Sequence, residues 1–231
     1  MGYVNNEKSA DAVYQAVGPT FVTTGSSDAV VTLRDVKPGD GYDWDNDYLF
    51  VVNPEDCSSD ADLAYYTKAE FGMLPEDGWY DSMTLDPYND EEFPIGTGFQ
   101  TSFSSGEAFG ITSAGQVFED GYSITTGGDI VYMFPVNATA RTITFAEIVP
   151  GDGYDWDNDY LFIVNPEDCS SDADLAYYTK AEFGMLPEDG WYDSVTLDPY
   201  NEEEINPGQG FQTSFSGGVE FLLNFPPSVE K

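Results

Sequence analysis

Residues 39–82 read GDGYDWDNDYLFVVNPEDCSSDADLAYYTKAEFGMLPEDGWYDS, and residues 151–194 repeat them with one change, Ile163 for Val51; the next position differs too, Val195 for Met83. The offset of 112 residues (39 to 151) continues through Gly98–Phe103 and Gly210–Phe215, and the remaining changes gather at Asp90–Thr97 against Glu202–Gln209. A period this long describes two copies of one domain rather than a solenoid of short units. The expected domains are residues 1–118 and 119–231.

Working outward, Asp47–Asn53 is an apolar run closed by Asn53-Pro54, which predicts a strand. Gly39–Asp47 carries two glycines and a cluster of acids, which predicts a loop. Ser59–Gly72 reads either as a short helix, capped by Ser59 or Asp60 and ended by Gly72, or as a strand followed by a helical turn. The expectation is the strand and turn. Glu76-Asp77-Gly78 is a turn into Trp79-Tyr80-Asp81, and Pro94–Gly98 is a turn into the strand Phe99–Phe103. Val30–Asp35 alternates, and its counterpart Thr142–Glu147 alternates in the same phase. That agreement predicts one strand with Val31, Leu33, Ile143 and Phe145 inward. Ala12–Val17 and Thr20–Thr23 read as short strands around Gly18-Pro19, and Asp129–Phe134 answers the first of them at an offset of 118. The first copy therefore has six extra residues, placed around Gly25-Ser26-Ser27. The fold class is all-β: two tandem, homologous β-sandwich or barrel-like domains, with room for one short helix in each.

Composition narrows the function. The chain has 231 residues, 43 acids against seven bases, no histidine and a net charge of −36. Such a surface repels nucleic acid and anionic membranes and attracts cations. No apolar run is long enough to span a bilayer. The opening Met1-Gly2-Tyr3-Val4 has no basic, apolar leader. Together with the duplicated acidic pattern it suggests an extracellular or cell-surface chain whose signal has been removed. The two cysteines, Cys57 and Cys169, are equivalent in the repeats, so neither domain has an internal disulfide. Two thiols are expected, with pairing across the domains or between chains as the alternative. Without histidine there is no Cys–His nucleophile.

Three patterns carry candidate chemistry. Asp43, Asp45 and Asp47, repeated as Asp155, Asp157 and Asp159, put oxygen donors at alternate positions of a loop, which suits calcium. It is not an EF-hand, because Tyr48 and Pro54 stand where that loop needs Gly and Glu. Trp44 and Trp156, inside the acidic loops, are the surface rings that could stack on glycans, whereas Trp79 and Trp191 are expected in the core. Paired carboxylates for glycoside hydrolysis are not singled out by any difference in environment. Asn137-Ala138-Thr139 fits a glycosylation acceptor.

The opening Gly2-Tyr3-Val4, Asp77–Asp81 (DGWYD), Pro94–Phe99 (PIGTGF) and the closing Ser113–Val117 (SAGQV) together resemble a group of secreted bacterial tandem-repeat proteins of the planctomycete–verrucomicrobial kind. The second copy keeps Asp189–Asp193 and Gly208–Phe211 but ends in Asn224-Phe225-Pro226-Pro227. The resemblance implies export and a β-rich repeat; it implies no enzymatic role. The functional expectation is a non-catalytic extracellular protein that polymerises with itself, head-to-tail, into a filament or surface array, with exposed strand edges as the joint. The alternative is a monomeric, calcium-dependent carbohydrate-binding or adhesin module with two weak sites.

Overall fold

The computed structural model describes residues 2–8 (as backbone), 14–20, 30–165, 167 and 170–228. Its strands in the first half are β1 (Gly2–Lys8), β2 (Ala16–Val17), β3 (Val30–Val31), β4 (Val36–Pro38), β5 (Asp47–Val52), β6 (Ser59–Tyr66), β7 (Gly78–Asp81), β8 (Phe93–Pro94), β9 (Phe99–Phe103) and β10 (Phe109–Gly115). The second half continues with β11 (Tyr122–Thr126), β12 (Ile143–Thr144), β13 (Val149–Pro150), β14 (Asp159–Val164), β15 (Ser171–Tyr178), β16 (Gly190–Asp193), β17 (Glu204–Ile205), β18 (Gln212–Phe215) and β19 (Phe221–Phe225).

The strand orders of the two halves correspond. In the first, β1-β10-β4 forms one sheet, β2-β9-β5-β6-β7 a second and β3-β8 a short third. In the second, the matching sheets are β11-β19-β13, β16-β15-β14-β18 and β12-β17. None of them closes into a barrel. Every strand pair is antiparallel, and both long hairpins carry a register shift at the same place, Val51/Val52 and Ile163/Val164.

Each half is a sandwich because its two larger sheets share one apolar layer. Val36, Phe109 and Ile111 from the three-stranded sheet meet Leu49, Leu63, Trp79 and Phe103 from the five-stranded one. The long sheet is also covered on its outer face. Ala64, Tyr66 and Tyr80 pack there with Leu74, Phe71 and Trp44. Two covered faces explain why β6 buries Leu63 and Ala64 in succession instead of alternating. The reading of Ser59–Gly72 as strand then turn holds: after β6 the chain makes a single turn, with Glu70 and Phe71 N–H donating to the Thr67 carbonyl. Among the described residues no longer helix forms.

Two expectations about strands are corrected. Val30–Asp35 is not one strand: β3 ends at Val31, and Leu33–Asp35 form a 3-10 turn closed by Val36 N–H to the Leu33 carbonyl. Phe145–Glu147 does the same, with Glu147 and Thr144 capping each other. The inward residues are nonetheless those expected, since Val31, Leu33, Ile143 and Phe145 are all buried. The alternation is complete by Leu33, the first residue of the turn, so the chain bends away only after its inward residues have been placed. Val131–Phe134 is extended beside β18 but is not a regular strand. Met133 N–H donates to the Thr213 hydroxyl rather than to a carbonyl, and Pro135 has no N–H to continue the ladder.

The same hydrogen bonds fix the alignment of the early strands. Gln15 and Thr101 exchange the bonds that Met133 and Thr213 exchange, an offset of 118, while Val31–Phe93 and Ile143–Ile205 pair at an offset of 112. The six extra residues therefore fall between Gly18 and Val31; the suggested loop Gly25-Ser26-Ser27, the strand Thr20–Thr23 beyond Thr20, and Ala12–Val13 lie outside the described residues.

The halves are joined reciprocally. Val17 bridges Gln209, and Pro135 bridges Thr97. Gly18 N–H donates to the Gly208 carbonyl at 3.1 Å, and Val136 N–H to the Gly96 carbonyl at 2.9 Å. Each bond has its equivalent with the roles of the halves exchanged, which is the signature of a two-fold relation. Ile95 of the first half is buried in the core of the second, against Tyr122 and Ile124.

Candidate functional site

The two acidic loops are built alike. Asp47 is fully buried at the start of β5. Its Oδ2 accepts the Asp43 N–H at 2.9 Å and its Oδ1 the Ser105 N–H at 3.0 Å. Asp43 in turn accepts the Asp45 N–H at 3.0 Å and the Asn46 side-chain amide at 2.8 Å. Tyr42 ties the loop to the sheet, donating to the Asp47 carbonyl at 2.8 Å and accepting the Tyr65 N–H at 2.7 Å. Burial pushes the Tyr42 phenol well above its ordinary range, so it stays a donor at any physiological pH. Asp155, Asp157, Asp159 and Tyr154 repeat these bonds.

Four of the six carboxylates act as turn caps. Asp43 and Asp47, like Asp155 and Asp159, turn their oxygens toward N–H donors, while Asp45 and Asp157 are exposed. Among the described residues no three His, Cys, Asp or Glu side chains converge as a cation cage. Burial raises the Asp159 pKa, with the N–H bonds from Asp155 and Gly217 opposing it. The folded state thus holds the proton more tightly than the unfolded chain. The pH-dependent part of its stabilising contribution is complete below the ordinary aspartate value and is lost as pH rises through its folded value. Removing either buried acid orphans two loop N–H groups. Asp47→Ala and Asp159→Ala are each expected to cost about 2–4 kcal/mol, read by urea denaturation; a cost near zero would show that the loop does not depend on this carboxylate.

Trp44 and Trp156 are half-buried rather than free-standing. Trp44 lies edge-on to Phe71, with centroids 4.9 Å apart, and against Tyr66 at 5.6 Å; Trp156 meets Phe183 and Tyr178 in the same way. Beside Trp156 is an open cleft of about 340 Å³ that also includes Tyr177, Thr179 and Glu182. Trp79 and Trp191 are in the core as expected, wholly buried.

The Asn137 acceptor triplet is corrected. Asn137 is fully buried, and its amide nitrogen donates to the carbonyls of Arg141 and Ile205, both at 2.8 Å. An enzyme attaching a glycan has no access to it in the folded chain. The Cys57 sulfur accepts a hydrogen bond from Gln212 Nε2, 3.8 Å away across the join, and Cys169 lies outside the described residues. Sequence reasoning missed the cavities that flank this join, because they arise only where one copy meets the other. Their trace in the sequence is the cluster of differences at Asp90–Thr97.

No helix among the described residues is long and apolar enough to cross a membrane. No family model, curated protein or solved structure matches this chain.

Proposed function

We propose that this is a non-catalytic extracellular structural or surface protein that assembles with copies of itself. The observation that carries the reading is a pair of exposed apolar side chains in each half. Met73 and Met83 are 81% and 87% exposed, and their counterparts Met185 and Val195 are 82% and 83% exposed. They flank β7 and β16, the edge strands farthest from the join in their sheets. A chain carrying a net charge of −36 has little other reason to display large apolar groups at equivalent outer positions. The reciprocal join makes the two outer edges alike, so the contact would bring like ends together in an open chain of copies, instead of head to tail. Calcium enters this reading as a counter-ion for the acidic loops at such contacts, with the exposed Asp45 and Asp157 as its first ligands.

Size-exclusion chromatography with light scattering and electron microscopy, in calcium and in EDTA, tests it. Ordered assemblies that are lost in Met73→Asp/Met185→Asp support the reading, and their loss in EDTA places a cation at the joints. A monomer in both buffers sinks it. The cleft beside Trp156 favours the second reading, a calcium-dependent glycan-binding module acting as a monomer. Binding on a glycan panel that disappears in Trp44→Ala/Trp156→Ala would support that one, and no binding to any glycan would end it.

A further inference from the structure

Across residues 39–104 and 151–216 the copies differ at seven positions: Val51/Ile163, Met83/Val195, Asp90/Glu202, Phe93/Ile205, Pro94/Asn206, Ile95/Pro207 and Thr97/Gln209. Unselected drift would scatter them. Instead, Val51, Phe93, Pro94 and Thr97 line a single open cavity of about 450 Å³ at the join, and Ile95 packs across the join beside it. Ile163, Ile205 and Gln209 line the equivalent cavity on the other side of the two-fold, which holds about 280 Å³.

The cavities have become unlike in chemistry as well as size. Where the larger one has Thr97, Met133 and Phe134, the smaller has Gln209, Gln15 and Ala16, and it also has Glu204 on its wall. The larger cavity is walled mainly by aliphatic and aromatic side chains, with Thr97, Ser123 and Thr125 as polar points; among its described lining residues none is charged. It draws its walls from both halves, the second half contributing Ser123, Ile124, Thr125, Ile130 and Tyr132–Phe134. Its volume lies within the range of small-molecule sites, about 300–1,000 Å³. An open apolar hollow is costly to leave filled with water.

We propose that this cavity is a binding site for a small, uncharged, apolar molecule. The fit to size and polarity selects an apolar ligand, and the field of 43 acids against seven bases selects against one bearing a carboxylate, sulfonate or phosphate. Among its described lining residues the smaller cavity has Glu204 and two glutamines, so these do not repeat the uncharged lining of the larger one. The proposal is independent of self-assembly, because the cavity lies at the join and the exposed methionines lie at the outer edges.

The test is fluorescence titration of the full chain with Nile red, a neutral apolar dye, and with the anionic 1-anilinonaphthalene-8-sulfonate. One Nile red is expected to saturate each chain, with the anionic dye at least tenfold weaker at low salt. Thr97→Gln/Met133→Gln, which gives the larger cavity the residues the smaller already carries, is expected to weaken Nile red at least tenfold. Gln209→Thr/Gln15→Met is expected to leave it within threefold. Should the first double variant melt early, Thr125→Trp, which closes the mouth from an exposed rim position, carries the same expectation. Non-saturable binding, equal binding of both dyes, or binding unchanged by the cavity variants would overturn the proposal.

Discussion

Trp79→Ala is expected to cost about 3–5 kcal/mol of folding stability, and Trp191→Ala as much. Trp79 has no exposed surface, sits between the two sheets of its half, and meets Tyr42 and Tyr65 edge-on at 5.9 and 5.5 Å. Its Nε1–H donates to the Val36 carbonyl at 2.8 Å, tying β7 to the three-stranded sheet. Its backbone N–H is held by Asn89 Oδ1 at 2.9 Å, which fastens the acidic Asp86–Glu92 loop to the same strand. Alanine removes the ring that Tyr42 leans on, and Tyr42 holds the acidic loop. Trp79→Phe separates the two contributions. It keeps most of the apolar volume but leaves the Val36 carbonyl buried and unpaired, for a cost of about 1–3 kcal/mol. Urea denaturation followed by circular dichroism measures both variants. A loss below about 1 kcal/mol in Trp79→Ala would mean that the ring is not packed between the sheets.

The second large effect is expected at the join. In Gly98→Ala the new methyl group would lie 2.4 Å from the Phe134 carbonyl oxygen and 2.4 Å from Val136 Cγ1, both in the other half. A backbone carbonyl cannot swing aside as a long side chain can. The halves must therefore separate there, and the Val136–Gly96 and Gly18–Gly208 hydrogen bonds stretch with them. The expected cost is about 1–3 kcal/mol. More telling is its form. With the join intact, the halves share Ile95 and unfold together; with it loosened, each retains its own core and they unfold in two steps. Calorimetry distinguishes these results. One sharp transition in both proteins would show that cooperativity does not run through this join.

Much of the architecture was legible because it is local. Alternation placed Val31, Leu33, Ile143 and Phe145 on the inward side, and an Asp-Gly turn introduced Trp79 into the core. The same local reading overextended at Leu33–Asp35, where a 3-10 turn takes over once Leu33 has been placed inward. The candidate site was harder to read. Asp43, Asp45 and Asp47 put oxygen donors at alternate positions, a pattern that serves a cation and a backbone turn equally well. The donors that occupy Asp47 include Ser105, 58 residues away, and no local rule brings that N–H to it. Asn137 matched a surface motif, yet it is buried by a contact to Ile205, 68 residues on.

By itself, then, the chain's sequence determined an acidic, all-β pair of copies in a known register, since side-chain periodicity, turn residues and internal identity are properties of neighbouring positions or of direct comparison. Tertiary structure alone decided the reciprocal join, the fate of the buried carboxylates and the unequal cavities on either side of the two-fold. Those depend on which distant backbone groups meet in space, and the hydrogen bonds and excluded volume that settle it have no expression until both copies have folded against each other.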